Sequence, residues 1–347
     1  MDTDALKNQL DERNTRYRRE LEDWFRSWIV DGYAERAGTL WKRDYSSVEA
    51  YERSVQPNRE RWRAILNPPD LRISGPPESE PVRGLEGLDA RYVRLPLGER
   101  LRAEAILAIP KSKGPVPLIV SQHGIGSQPE HVFGLIDPEG VYHSYARRLV
   151  EAGFAVLAPM NLFGGPPRGR IVRMATLAGT TLPGIELVRM QRLLDVVLQQ
   201  PEIDSEKVGF WGLSLGGMAA QLWGPLEPRL RAIISAAWFN SRLAKMVIPD
   251  PRYSCFLDVQ EEHVFIRGWL TEFCDSDLVS LICPRPFLVQ AGKADGIAWW
   301  PQLVEEFGDL KRHYHQLGIA DRCAIDLHEG GHEVRVENGI AWLKKWL

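Results

Sequence analysis

Between residues 208 and 220 a short apolar run, Val208-Gly209-Phe210-Trp211, leads into Gly212-Leu213-Ser214-Leu215-Gly216-Gly217 and then into Met218-Ala219-Ala220. An apolar run that stops at a glycine-flanked serine and resumes with small helix-forming residues describes a strand turning sharply into a helix, with the serine at the turn. A serine so placed takes a strained backbone conformation. Side chains two positions before and two after it would collide, so glycine is needed at both. The helix that follows points its N-terminus at the serine, an end that favours developing negative charge.

The chain around this turn reads the same way. Residues 117–121 (PLIVS), 154–158 (FAVLA), 232–236, 287–291 and 324–327 are short apolar runs that suit buried strands. Residues 143–152 and 185–199 carry apolar residues at helical spacing, and residues 93–95 and 101–109 read as antiparallel strands. Strand–helix alternation implies an α/β protein with a mostly parallel sheet flanked by helices on both faces. Ligands then bind beyond the carboxyl ends of the strands. Residues 240–280 interrupt the alternation with Phe256, Phe265 and Trp269 among prolines and charges, and read as a cap-like insertion over those ends.

The N-terminal part differs. Residues 4–65 are dense in charge, and Leu21, Trp24, Phe25 and Trp28 recur at i, i+3, i+4 and i+7, one face of a helix. The expectation is an N-terminal helical extension and linker over residues 1–75, followed by a catalytic domain over 76–347. Its stripe is expected to pack on that domain; a homodimer contact or a wall of the active site is the sharper alternative. Pro68-Pro69 and Ser74-Gly75-Pro76-Pro77 mark the linker.

Composition narrows the function. A formal net charge of −3 over 347 residues gives no electrostatic case for nucleic acid or an anionic membrane. No apolar run reaches the ~20 residues of a membrane span, and the polar N-terminus has no secretory h-region. Four scattered cysteines without a C-x-x-C pair read as reduced thiols. Cytoplasmic residence is the expectation. His313 and His315 stand at i, i+2 and face apart on a helix, so no metal is expected. No phosphate-binding glycine motif is present, Gly164-Gly165-Pro166-Pro167 reading as a loop, and no cofactor is expected.

A serine hydroxyl is a weak nucleophile until a base takes its proton, and the base needs an acid to orient it. In this strand–turn–helix setting the order along the chain is serine, acid, histidine. Asp295 follows a late strand in FLVQAGKAD, and His332 follows the last strand in AIDLHEGGHE, where Gly330 and Gly331 let the loop swing back. Asp275 and Asp277 are rival acids, but they precede the strand that the acid should follow. Glu306 and Asp309 lie on a helix past the turn. His328 reads as structural, and His123 as a loop-shaping residue. An oxyanion hole needs two backbone N–H groups. Leu215, just after the nucleophile, supplies one; Ile125 in His123-Gly124-Ile125-Gly126 is the choice for the other, with Gly126 the alternative.

These residues resemble the α/β-hydrolase superfamily, and within it the branch of dienelactone-hydrolase-like and acetyl-xylan-esterase-like proteins. The matching pieces are HGIG at 123–126, PEIDSEKVGFWGLSLGG at 201–217, CPRPFLVQAGKAD at 283–295 and HEGGHE at 328–333. The resemblance implies the α/β-hydrolase fold and a triad of Ser214, Asp295 and His332. Dienelactone hydrolases proper use a cysteine nucleophile; Ser214 stands there in this chain and argues for ester chemistry. The expected substrate is a small-molecule carboxylic ester. A peptidase or amidase, a carbon–carbon bond hydrolase and a non-catalytic binding protein are the rivals.

Overall fold

The computed structural model describes residues 3–347. Nine strands form one sheet: β1 (Glu78–Pro81), β2 (Asp89–Leu97), β3 (Leu101–Ile109), β4 (Val116–Gln122), β5 (Ala155–Pro159), β6 (Ile203–Leu213), β7 (Leu230–Ala236), β8 (Phe287–Gly292) and β9 (Cys323–His328). Their order is β1-β2-β3-β5-β4-β6-β7-β8-β9. The first strands run antiparallel up to the β3–β5 pair, and β5-β4-β6-β7-β8-β9 run parallel. The fold is therefore the expected α/β class with a mostly parallel sheet. Strands β5 and β8 are buried at every position, because helices cover both faces. Helices Tyr145–Glu151 and Val336–Trp346 pack on one face, and Leu182–Val197, Leu215–Trp223 and Trp300–Gln316 on the other.

Helix Leu182–Val197 shows how local sequence starts an element. The Thr181 side chain accepts from Gly184 N at 3.0 Å, and Pro183 sits in the first turn, where its missing N–H costs nothing. Helix Pro166–Leu177 has no side-chain cap but also opens on prolines, at the Gly164-Gly165-Pro166-Pro167 run that reads as a loop in the sequence. The two prolines open the helix instead of excluding it.

The N-terminal region divides at about residue 30. Helix Thr3–Arg26 has no buried residue, and Leu21, Trp24, Phe25 and Trp28 are 41–58 % exposed, so the stripe is not buried on the main domain; the helix touches it at its end, where Arg26 Nε donates to Val247 O at 3.0 Å. The residues that do pack follow it. Tyr33, Trp41, Tyr51, Val55, Trp62 and Leu66 are all buried. Trp62 is fully enclosed: its Nε1 donates to Leu222 O at 2.8 Å, and its ring lies 5.9 Å from Trp269 and 5.4 Å from Phe273. Residues 33–66 thus brace the helix Leu215–Trp223 against the 240–280 segment. Trp62→Phe removes that hydrogen bond and part of the ring volume. We expect it to lower unfolding free energy by about 1–3 kcal/mol, read from the urea midpoint.

Candidate active site

Strand β6 ends at Leu213, and Ser214 stands between strand and helix with φ 58° and ψ −115°. A non-glycine residue held there stores about 1–3 kcal/mol of backbone strain. Three glycines make the turn possible. A Cβ on Gly212 would lie 2.2 Å from Gly216 O, one on Gly216 2.2 Å from Gln122 O, and one on Gly217 2.5 Å from Ala236 O. The turn is therefore closed tightly onto the ends of β4 and β7, and Ser214 N donates to Ala236 O at 2.9 Å. Leu215 is the first residue of the helix Leu215–Trp223, so its N–H has no intrahelical acceptor.

The loop after β4 runs alongside. A Cβ on Gly124 would lie 3.3 Å from Ser214 Cβ. Gly124 N donates to Tyr142 Oη at 2.6 Å, so that N–H is already engaged. His123 is buried; its Nε2 accepts from Asn161 N at 3.1 Å, and its Nδ1 faces Gly124 O at 2.8 Å. This is a neutral ring with its proton on Nδ1, and burial pushes its pKa down to about 4. His123 is spent on loop shape. Ile125 sits against Gly164, where a Cβ would come within 2.6 Å of its Cγ1.

Asp295 and His332 come from the loops after β8 and β9, which are joined backbone to backbone. Lys293 N donates to His328 O at 2.8 Å and Ala294 N to Gly330 O at 3.0 Å. A Cβ on Gly292 would lie 2.1 Å from Gly331 O. His332 Nδ1 meets Asp295 Oδ2 at 2.8 Å, and the other carboxylate oxygen accepts from Ile297 N at 3.0 Å. Asp295 is buried and His332 half-buried. His328, at the end of β9, accepts from Gly330 N at 3.1 Å and shapes the loop.

The rival acids are engaged elsewhere. Both oxygens of Asp275 take the buried Arg242 guanidinium at 2.9–3.0 Å, and Oδ2 also accepts from Asn240 N. Asp277 accepts from Tyr33 Oη and Arg43. Glu306 Oε1 accepts from Ser276 N at 2.8 Å, and burial raises its pKa to about 7.

Side chains that no sequence motif announces surround the site. Arg168 and Glu186 form a buried bidentate pair at 2.7 and 3.0 Å. Glu261 has its carboxyl raised by burial, against the pull of Lys245, His332, Arg168 and Arg242. His263 Nε2 lies 3.7 Å from Glu261 Oε2, and burial with Arg168 nearby pushes its pKa to about 3. Of the aromatics in this region, Trp223, Phe239 and Trp269 are each 1 % exposed and belong to the core. Trp238 follows β7 beside Gly217, with the Arg242 guanidinium 4.3 Å from its ring. The four cysteines are buried and free. No single helix among the described residues is long and apolar enough to cross a membrane.

No protein-family model matches the sequence. A Bacillus subtilis protein, YtaP, whose name goes no further than hydrolase, is 25 % identical over 264 residues, covering 73 % of this chain and 86 % of its own. Among solved structures, methylesterase BT1017 superposes with a TM-score of 0.65 at 20 % identity, over 90 % of this chain and 67 % of its own. Acetyl xylan esterase 1 from Thermoanaerobacterium superposes with a TM-score of 0.57 at 18 % identity, over 84 % and 93 %. Strand order, the Ser214 turn and these likenesses together give the chain the α/β-hydrolase fold.

Proposed function

We propose that this protein is a serine hydrolase that cleaves a carboxylic ester of a small molecule through Ser214, His332 and Asp295. The observation that carries the reading is the pairing of a strained Ser214 turn with an Asp295–His332 contact at the same carboxyl edge of the sheet. With Nδ1 given to Asp295, Nε2 is the nitrogen left to take the Ser214 proton. Ser214 Oγ attacks the ester carbonyl, and the Leu215 and Ile125 N–H groups receive the oxyanion. His332 returns the proton to the departing alcohol. Water then attacks the acyl-enzyme with His332 again as base, releasing the acid and restoring Ser214. Asp295 holds the ring orientation and supports its charged form. The chemistry needs no cofactor.

Two of the similar structures are esterases by name, which supports an ester over an amide. The 240–265 segment, tied to the Asp295 loop through Ser254 and Lys245, favours a bounded pocket over an open groove. Aryl acetate and butyrate are therefore expected to exceed the decanoate in kcat/KM by about 10-fold or more, with a peptide anilide barely cleaved. A preference for the anilide would replace the esterase reading with a peptidase, and a preference for decanoate would mean an open acyl channel.

A further inference from the structure

Lys245 lies on the helix Arg242–Val247 of the 240–280 segment and is only 4 % exposed. Its ammonium donates to Ser254 O at 2.9 Å, to Ser254 Oγ at 3.0 Å and to Ile297 O. All three acceptors are uncharged. Burying an ammonium without a carboxylate in contact is costly, so such a group is informative about where its charge is wanted. Ile297 accepts from Lys245 through its carbonyl and donates to Asp295 Oδ1 at 3.0 Å through its own N–H. A single peptide residue therefore connects Lys245 to the acid that orients His332. Ser254 N donates to the same Ile297 carbonyl at 3.3 Å, a second tie between the two segments.

We propose that Lys245 is a positioning residue for hydrolysis, holding the Asp295 loop from the 240–280 segment and lending it positive charge. The inference rests on the serine-hydrolase reading above. The groups that act on the ammonium are Arg242 on its own helix, which opposes it, and the carboxyls of Asp295 and Glu261 and the Cys255 thiol, which favour it. Tyr253 and Phe256 place their rings 5.9 and 5.0 Å from Nζ. Burial, then Arg242, brings its pKa down to about 8. Below that pH three N–H donors serve three acceptors. Above it the neutral amine has two donors and a lone pair, so Ser254 Oγ must turn from acceptor to donor, and the charge facing Asp295 is lost.

The sign of the pH effect follows: kcat should fall on the alkaline side with a midpoint near 8. Lys245→Met should lower kcat by about 10²-fold, the usual scale of a small misplacement in a catalytic group, with KM changed far less. The activity that remains in Lys245→Met should show no alkaline fall between pH 7 and 9. Lys245→Arg, whose guanidinium stays charged, should keep more activity than Lys245→Met and also lose that fall. It also serves as the test if Lys245→Met does not fold. An unchanged kcat in Lys245→Met, or an alkaline limb that persists in either folded variant, overturns the proposal. Wild-type hydrolysis and Ser214 labelling with a fluorophosphonate are measured alongside. Their absence would instead overturn the hydrolase reading.

Discussion

Ser214→Ala is expected to lower kcat on an aryl acetate by about 10⁶-fold and to abolish covalent labelling by a fluorophosphonate. The substitution removes only the side-chain hydroxyl of a residue whose backbone is already held at φ 58° by three close-packed glycines, so the fold should be unchanged by circular dichroism. Asp295→Asn is expected to cost about 10⁴-fold in kcat. An amide can present its N–H₂ to His332 Nδ1, which favours the tautomer with its proton on Nε2 and removes the base. Asp277→Asn is the control. Its carboxylate is taken by Tyr33 and Arg43, so it should affect stability and leave kcat largely intact. Turnover by Ser214→Ala, or a kcat loss in Asp277→Asn equal to that in Asp295→Asn, would refute the assignment.

Asp275→Asn should lower unfolding free energy by about 3–5 kcal/mol, the usual cost of breaking a buried ion pair from one side. Both partners are 0 % exposed at the side chain, and Arg242 also donates to Trp238 O at 2.8 Å. The amide keeps the volume of the acid but leaves a guanidinium enclosed without its counter-charge. Urea denaturation of wild type and variant gives the difference directly. The double replacement Arg242→Met with Asp275→Leu should recover much of the loss, since an apolar pair of similar volume is often no worse than the ions. A single-variant loss below about 1 kcal/mol would mean that water reaches Arg242.

The Ser214 turn is legible in the sequence because its physics is local: apolar strand, three glycines and small helix-forming residues lie within a dozen positions. The α/β class is legible for a similar reason, since strands covered on both faces are continuous apolar runs. Asp295 and His332 follow from chain order, and Asp275 and Asp277 are separated from Asp295 only by their side of β8. Strand β1 escapes because Glu78-Ser-Glu-Pro81 is exposed at every position and pairs only along the edge. The Leu21–Trp28 stripe is legible as a helix face but not as a buried one, because helical periodicity reports an apolar face without saying what covers it. Lys245 carries no signal at all; its meaning lies in carbonyls 9 and 52 residues away that only the folded chain brings to it.

The brace formed by residues 33–66 also bears on how the chain is made. On the ribosome these helices emerge long before the surfaces that bury them: Trp62 waits 160 residues for Leu222, and Arg43 waits 234 for Asp277. Until then Trp41, Tyr51 and Trp62 are apolar groups on or just after short helices that water can melt. Contacts of such sequence separation form late, because the intervening loop must be closed before they return any energy. The segment is therefore made well before the surfaces that bury it and docks late, so its tryptophans stay uncovered during that interval.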